Sequence, residues 1–283
     1  LDLVAPEERE ALTAEAANRA QVFPISAVTG EGVAALLDAI SAAFDEEKTE
    51  ARLTLPFAEG RRRAWLQGRL IASDLGEIGV TVDCAPVLDV IIPGASEAIG
   101  NRSFGGDPGL VAELGRAYAN GLLAGGILPV IKHIPGQGRA TADSHYHLPV
   151  VEADLPTLAA TDLPPFRALA DLPAAMTSHT VFAAIDPVRP ATTSPTLIAE
   201  IIRGRIGFDG LLLSDDVSMQ ALSGDYGQRA VAILGAGCDI VLHCNGRIEE
   251  MRAIADHTPE LSGKAAERAA RALAALAPAD AFD

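Results

Sequence analysis

One stretch of this 283-residue sequence, KHIPGQGRATADSHYHLP at residues 132–149, holds three of the chain's six histidines. Within it, His145 follows Asp143 by two residues. An imidazole has an ordinary pKa of about 6.5, so it can give and take a proton near neutral pH. A neighbouring carboxylate can fix the ring's tautomer and stabilise its charged form. The pair therefore predicts a general acid/base, carried on a glycine-containing loop that can move over a bound substrate.

A second reactive group is expected at Asp215, which ends the apolar run GLLLSDD. A strand holds its side chains rigidly, which suits a nucleophile. Asp216 is expected to point the other way, because side chains alternate along a strand. A carboxylate nucleophile facing a proton donor is an arrangement that hydrolyses a glycosidic bond with retention of configuration. We therefore predict that Asp215 and His145 face each other across a pocket for one sugar.

These residues belong to a repeating pattern of helices and short apolar runs that begins at about residue 62. The runs are VTVDCAPVLDV, ILPVIKH, LPAAMTSH, FDGLLLSDD and CDIVLHCN. Continuous apolar runs that alternate with helices predict parallel strands covered on both faces. Polar residues at the ends of several such strands are typical of a (β/α) TIM-type barrel active site. The alternative is an open, doubly wound sheet, which gathers its ligands at one switch point.

Other strand-end residues have both a functional and a structural interpretation. Asp89 could bind a ligand or cap the following turn, and His179 could be a ligand or a structural histidine. His243 is expected to satisfy nearby backbone, whereas His147 and His257 are expected to be exposed to solvent. The loop at residues 132–149 could also be a surface turn with incidental histidines. Buried charges at strand ends, such as Lys132, are costly unless they are paired or used.

Composition limits the classes of partner. The net charge of −16 argues against nucleic acid and anionic membranes, because phosphate binding needs clustered cations. Cys84, Cys238 and Cys244 are an odd number in apolar surroundings, which indicates reduced thiols in a cytoplasmic protein. No uncharged apolar run approaches the ~18 residues that cross a bilayer, and no signal-peptide pattern opens the chain. We expect a cytoplasmic monomer with a small-molecule partner, no nucleic acid and no membrane.

The segment KHIPGQGRATADSH resembles the K-H-F-P-G-H-G…D-S-H signature of bacterial glycoside hydrolase family 3 β-N-acetylglucosaminidases, which act in peptidoglycan recycling. APVLDV, IGNRSFG, TTSPTLIAEIIRGRIGFDGLLLSDDVSMQAL and GAGCDIVLHCN match the same family in order, over about residues 66–250. The resemblance implies no cofactor and no metal. It also implies a nucleophile at Asp215, a general acid/base at His145 with Asp143 as its partner, and sugar-binding residues at Arg102, Lys132 and His133.

Residues 1–65 do not follow that family. They lack its D-x-E-G-G-R-V-x-R segment, whose Asp and last Arg bind the sugar, and they resemble the C-terminal end of an HflX-type GTPase through SAVTGEG at residues 26–32. We expect a βαβ segment with strands at about 21–26 and 52–57 and a helix at about 31–47. It either fills the place of the barrel's first strands or packs loosely beside a partial barrel. The predicted domains are thus 1–65, a GTPase remnant, and 66–283, the barrel.

The resulting hypothesis is a retaining exo-β-N-acetylglucosaminidase that removes terminal N-acetylglucosamine from muropeptides. Loss of the N-terminal sugar-binding segment is expected to weaken substrate binding. One alternative is a catalytically inert chimera or a sugar-binding barrel without hydrolysis. Another is a GTPase-derived, ribosome-associated factor, but the sequence has no P-loop to hold the phosphates of GTP.

Overall fold

The computed structural model describes residues 57–96, 98–142, 144 and 147–280. Numbered in chain order, its helices are α1 Phe57–Glu77, α2 Pro108–Ala124, α3 Leu155–Thr161, α4 Leu163–Ala168, α5 Tyr226–Ala236, α6 Ile248–Ala255 and α7 Gly263–Ala274, with a π-helix at Leu197–Ile206. The strands are β1 Val82–Asp83, β2 Leu128–Ile134, β3 Val150–Val151, β4 Ala174–Thr177, β5 Val181–Phe182, β6 Asp186–Pro190, β7 Leu211–Asp216 and β8 Ile240–Leu242. The predicted strand at 21–26 and helix at 31–47 lie outside the described residues, as does all but the last residue of the predicted strand at 52–57.

The main sheet has five parallel strands in the order β1-β2-β4-β7-β8. All five were predicted from the apolar runs of the sequence. Because each strand joins the same side of the one before it, the order has no switch point, which excludes the doubly wound alternative for this part of the chain. The sheet is instead the curled, parallel half of a (β/α) barrel, as the sequence predicted.

The two faces of this sheet bury different sets of side chains. The concave face packs Leu128, Val130, Met176 and Leu213 into a cluster that Ala272 of α7 also joins. Alternate residues of the same strands, including Ile131, Ala175 and Leu212, face outward and pack against the helices. This alternation follows from the period of two in a strand. It also means that Lys132 and Asp215 extend the inward-facing sets of β2 and β7.

Three of the described helices, α2, α3 and α5, begin at an aspartate whose side chain caps the first turn. Asp107 accepts a hydrogen bond from the Leu110 N–H at 2.7 Å at the start of α2. At the start of α5, Oδ1 of Asp225 accepts a hydrogen bond from the Gln228 N–H, and Oε1 of Gln228 accepts one from the Asp225 N–H, which together form a capping box. These contacts satisfy backbone donors that a helix leaves without partners at its first turn. The helices predicted between the strands are therefore confirmed.

A second, three-stranded sheet in the order β3-β5-β6 was not predicted. β3 pairs with β5 in parallel, and β5 pairs with β6 in an antiparallel manner. Two of these strands have only two residues. Segments this short carry no recognisable period, so sequence patterning could not have found them. Within the described residues, no helix is long and apolar enough to span a membrane.

Candidate active site

A cavity of about 270 Å³ lies at the carboxyl ends of the parallel strands. Its lining consists of Cys84, Ala98, Arg102, Lys132, His133, Gln137, Ser144, Met176, Asp215, Asp216, Met219, Leu242 and Cys244. All four of the predicted site residues that the structure describes, Arg102, Lys132, His133 and Asp215, line this one cavity. The other two, Asp143 and His145, lie outside the described residues. Residues more than a hundred positions apart in sequence therefore meet at one cavity.

Asp215 and Asp216 both line the cavity but have different contacts. The two carboxylate oxygens of Asp216 accept hydrogen bonds from Ser218, at 3.0 Å from its N–H and 2.6 Å from its hydroxyl, and from the Cys244 N–H at 3.2 Å. Asp215 is 6% exposed, and its Oδ1 accepts the Asp216 N–H at 2.8 Å. Within the described part of the chain, its Oδ2 has no hydrogen-bond donor. Both carboxylate oxygens of Asp216 therefore bind neighbouring residues, whereas Asp215 has one oxygen that can contact a ligand.

Lys132 brings a positive charge to the same cavity. It lies on β2, where its backbone pairs with the segment after β1 through the Leu88 N–H and the Pro86 carbonyl. Burial raises the pKa of Asp83, and the Lys132 charge opposes that rise. Lys132 forms no ion pair or side-chain hydrogen bond with any residue that the structure describes. Its ammonium therefore keeps three donors that a polar ligand could use.

His133 is held by a buried carboxylate. Its Nδ1 lies 2.7 Å from Oδ2 of Asp89, a side chain that is completely buried. Oδ1 of Asp89 accepts the Gln137 N–H at 2.7 Å and the His133 N–H at 3.4 Å. Asp89 therefore neither binds a ligand nor merely caps a turn, because its two oxygens anchor the cavity-lining segment that follows β2. The Lys132–His133 peptide bond in this segment is cis.

Arg102 reaches the cavity from a short 3₁₀ turn at Gly100–Arg102. Its guanidinium donates to the backbone carbonyls of Ala98 at 2.6 Å and Ile99 at 3.3 Å. No carboxylate of a described residue pairs with it. A guanidinium oriented by backbone and not neutralised by an acid can still donate to the oxygens of a ligand.

The glycine-containing loop after β2 is tied to the rest of the site. The Gln137 side chain donates to the Ser144 hydroxyl at 3.3 Å, and Ser144 is itself buried. Arg139 binds Asp162 at 2.7 Å and Thr161 at 2.6 Å. Gly138 is required by close packing, since a Cβ there would lie 2.0 Å from the Val90 carbonyl oxygen. These contacts argue against the interpretation of this segment as an incidental surface turn.

Sulfur-containing side chains complete the lining and were not predicted as site residues. Met176 and Met219 supply apolar surface, and Cys84 and Cys244 are free thiols. Burial raises the pKa of Cys84, and burial together with the Asp216 and Asp215 charges raises the pKa of Cys244 to about 11. Both thiols are therefore protonated near neutral pH and poorly nucleophilic. No sequence pattern marked them, because their proximity depends on the curl of the sheet.

The four other histidines that the structure describes are structural or exposed. His179 is completely buried, with Nδ1 2.8 Å from the Thr192 hydroxyl and Nε2 3.0 Å from the Asp216 carbonyl oxygen. The expectation for His243 is corrected in its detail, because its Nε2 pairs with the Glu250 side chain at 2.9 Å rather than with backbone. His147 and His257 are exposed, as predicted. No group of three or more His, Cys, Asp or Glu among the described residues is arranged to hold a metal ion.

A larger cavity of about 550 Å³ lies between β8 and helices α6 and α7. Its lining is mainly apolar and shares only Leu242 with the cavity described above. We place the candidate active site in the smaller cavity, because charged side chains from separate strands converge there and ligand specificity depends on such groups.

Two family sequence models match this chain. The one described as the glycosyl hydrolase family 3 N terminal domain matches residues 53–274, and the one described as the HflX C-terminal domain matches residues 11–77. The resemblances proposed from sequence to these two families are therefore confirmed. The two matches overlap at residues 53–77, the region that contains α1.

Individual relatives agree with the larger match. The chain is 41% identical over 191 residues to a beta-hexosaminidase of Methylobacillus flagellatus, covering 66% of this chain and 54% of the relative. It is 42% identical to a beta-hexosaminidase of Bordetella avium, covering 63% and 51%. Among solved structures, NagZ from Neisseria gonorrhoeae is similar with a TM-score of 0.68 and 35% identity, covering 77% of this chain and 62% of that one. The chain spans about half the length of the curated relatives it matches.

Proposed function

Since this chain belongs to the glycosyl hydrolase family 3 N terminal domain family, we propose that it is a retaining exo-β-N-acetylglucosaminidase. The observation that carries the proposal is the convergence of Arg102, Lys132, His133 and Asp215 on one cavity of about 270 Å³. The hexosaminidase relatives and the similarity to NagZ support an N-acetylamino sugar as the ligand.

In the proposed first step, an oxygen of Asp215 attacks the anomeric carbon of the sugar. The bond from that carbon to the leaving-group oxygen breaks, and the leaving oxygen takes a proton from His145. Water then attacks the anomeric carbon, its proton returns to His145, and the ester bond to Asp215 breaks, so one water is consumed per bond hydrolysed. The free Oδ2 of Asp215 supports this role, whereas Asp216 is bound on both oxygens.

The binding roles follow from the unneutralised donors around the cavity. We assign Arg102 and Lys132 to the sugar hydroxyls as charged donors, which form stronger hydrogen bonds to such oxygens than neutral ones do. His133 lines the same cavity and is assigned to a further hydroxyl of the sugar. Asp143 is assigned to orient His145, as the resemblance implies. Two departures from the family signature, Ile134 and Gln137, remove no group to which we assign chemistry.

Substrate binding is proposed to be weak. The sequence lacks the family's D-x-E-G-G-R-V-x-R segment, and each lost charge-assisted hydrogen bond is worth roughly 1.5–3 kcal/mol. Residues 1–65 are proposed to form a GTPase-derived segment and residues 66–283 the catalytic barrel. Muropeptides as the natural substrate, a role in peptidoglycan recycling, a cytoplasmic location and a monomeric state remain parts of the proposal.

Hydrolysis of a chromogenic β-N-acetylglucosaminide tests the proposal directly. We expect turnover by the whole chain and a loss of at least about a thousandfold in the Asp215→Asn variant, because the nucleophile is removed without a change of shape. Asp186→Asn is the matched control, since Asp186 is a buried aspartate at the start of β6 that does not line the cavity. Equal rates in wild type and Asp215→Asn would contradict the proposal.

The second candidate function is sugar binding without hydrolysis. It is favoured by the same cavity together with the missing sugar-binding segment. It predicts that N-acetylglucosamine raises the melting temperature while the chromogenic substrate stays intact. A melting temperature that does not respond to the sugar, in a chain that also lacks turnover, would leave only the fold assignment.

A further inference from the structure

Asp89 has an unusual environment for a carboxylate outside the reacting pair. Its side chain is completely buried, yet no lysine or arginine pairs with it among the described residues. Its three hydrogen bonds go to the Nδ1 of His133, the His133 N–H and the Gln137 N–H. Both partner residues line the candidate active site. The three hydrogen bonds offset the cost of burying this carboxylate, and they connect it to two residues that face the ligand cavity.

The atoms of Asp89 are assigned without ambiguity by their partners. Oδ1 accepts the backbone N–H of Gln137, which can only donate, and Oδ2 faces the His133 ring. An ionised carboxylate can only accept, so the hydrogen between Oδ2 and the ring must be carried by Nδ1. Nε2 is then the ring nitrogen left for the cavity, and no described residue hydrogen-bonds to it.

We propose that Asp89 is a positioning residue that fixes His133 as the Nδ1–H tautomer, so that Nε2 accepts a hydrogen bond from a hydroxyl group of the sugar. The tautomer is a property of the free protein, whereas the hydrogen bond to the sugar rests on the proposed function. Lys132 and Arg102 can only donate to the ligand. His133 in this tautomer adds an acceptor to the same cavity, which favours a ligand hydroxyl that donates toward it.

The geometry makes the Asp89→Asn variant a specific probe. The Gln137 N–H requires an oxygen at the Oδ1 position, so the new amide must place its NH₂ group toward His133. An NH₂ group donates, and Nδ1 must then accept. The ring is therefore forced into the Nε2–H tautomer, and the group facing the cavity changes from acceptor to donor while the shape of residue 89 stays the same.

Nitrogen-15 NMR of the histidine side chains in the whole chain tests which nitrogen of His133 carries the proton, at a pH where the ring is neutral. The His133 signals are assigned by their loss in His133→Gln. We expect a proton on Nδ1 in the wild type and on Nε2 in Asp89→Asn, whereas Asp186→Asn, another buried aspartate with backbone donors, leaves His133 unchanged. A wild-type ring with its proton on Nε2, or an Asp89→Asn ring that keeps it on Nδ1, would overturn the assignment.

A double-mutant cycle in steady-state kinetics tests whether Asp89 affects sugar binding through His133. Asp89→Asn should raise KM about tenfold with a smaller change in kcat, because one binding hydrogen bond is lost. In a His133→Gln background the same substitution should change KM less than about twofold, since its effect passes through the ring. An undiminished effect in that background would show that Asp89 does not act through His133 and would overturn the proposal.

Failure of the positioning role and failure of the proposed function give different results. If the chain does not hydrolyse the chromogenic substrate, the NMR experiment still decides the tautomer, and N-acetylglucosamine replaces the substrate in the cycle. Perturbation of Nε2 by the sugar in the wild type and its loss in Asp89→Asn would support the role of the acceptor. An Nε2 signal that is unaffected by saturating sugar would overturn it.

Discussion

His179 connects the end of β4 to the residue after the proposed nucleophile. Because the Asp216 carbonyl oxygen can only accept, Nε2 of His179 donates to it, and burial lowers the pKa of the ring. The charges of Asp215 and Asp216 oppose the lowered pKa. This neutral histidine thus holds the backbone next to Asp215 by a hydrogen bond rather than by charge.

The lowered pKa of His179 predicts an acid-sensitive contribution to stability. Above the ordinary pKa of about 6.5, neither the folded nor the unfolded chain protonates this ring. Below pH ~6.5, the unfolded chain binds a proton at this ring and the folded chain does not. The free energy of unfolding therefore falls as the pH drops toward the lower pKa of the folded state. In urea unfolding at pH ~8, the free energy of unfolding of the wild type should exceed that of His179→Gln by about 1–3 kcal/mol. This difference should become smaller by pH ~5.

The exposed residue His257 supplies the control for that experiment. His257→Gln should follow the wild-type pH dependence, since its ring is in contact with solvent. A difference in the free energy of unfolding between wild type and His179→Gln that stays constant with pH would contradict the assignment of a neutral ring to His179.

At the residue scale, the sequence predicted that Lys132 and Asp215 end their strands, and both side chains line the same cavity. It could not identify the partner of His133, because Asp89 is 44 positions away and its role depends on which strands are neighbours. Ser144 and Gln137 were missed for a similar reason. Their contact forms within a loop whose path no periodic pattern describes.

At the element scale, α1 and α2 pack unusually closely through two glycines. A Cβ on Gly68 of α1 would lie 2.2 Å from the Tyr118 carbonyl oxygen, and one on Gly121 of α2 would lie 2.1 Å from the Trp65 carbonyl oxygen. The backbones of the two helices are therefore in contact, and neither position can take a side chain without separation of the helices.

Alanine substitutions in α1 test this contact. Gly68→Ala should lower the free energy of unfolding by about 1–3 kcal/mol, because the added methyl group overpacks the interface. Gly76→Ala in the same helix is the matched control, since a Cβ there has nothing within 4 Å. It should be neutral or stabilising by up to about 1 kcal/mol, because alanine is the better helix former. Equal effects of the two substitutions in chemical denaturation would contradict the close contact.

The parallel strands and their helices could be predicted because apolar runs and helical periods alternate along the chain. The π-type hydrogen bonding of Leu197–Ile206 could not, since its apolar positions also fit an α-helix. The small β3-β5-β6 sheet was missed because its strands form only where the segment after β2 meets the segment after β4.

At the scale of the whole molecule, α1 lies within both family matches and packs against α2 of the hydrolase-like region. At the other end of the described chain, ion pairs attach helix α7 to residues that flank β7 and β8. Arg268 of α7 binds Asp209 at 2.7 Å and Asp239 at 3.1 Å, and Arg203 binds Asp239 at 2.9 Å. Arg203, Arg268 and Asp239 are largely buried whereas Asp209 is exposed, so solvent and salt screen the two pairs of Asp239 less than they screen the Arg268–Asp209 pair.

A thermal-shift comparison separates the two family likenesses. We expect N-acetylglucosamine to raise the melting temperature of the whole chain in a concentration-dependent manner, and GTP or GDP with Mg²⁺ to leave it unchanged, because the sequence has no P-loop. ATP at the same concentration controls for nonspecific effects of charge. Stabilisation by guanine nucleotides alone would instead favour the GTPase-derived function.

The most direct test of the central claim is to trap the glycosyl-enzyme. An activated 5-fluoro N-acetylglucosaminyl fluoride should be incubated with the whole chain, followed by proteolysis and mass spectrometry. The account predicts one added fluorinated sugar on the peptide containing Asp215, and none on that peptide in Asp215→Asn. A chain that hydrolyses β-N-acetylglucosaminides but carries the label on another residue would contradict it.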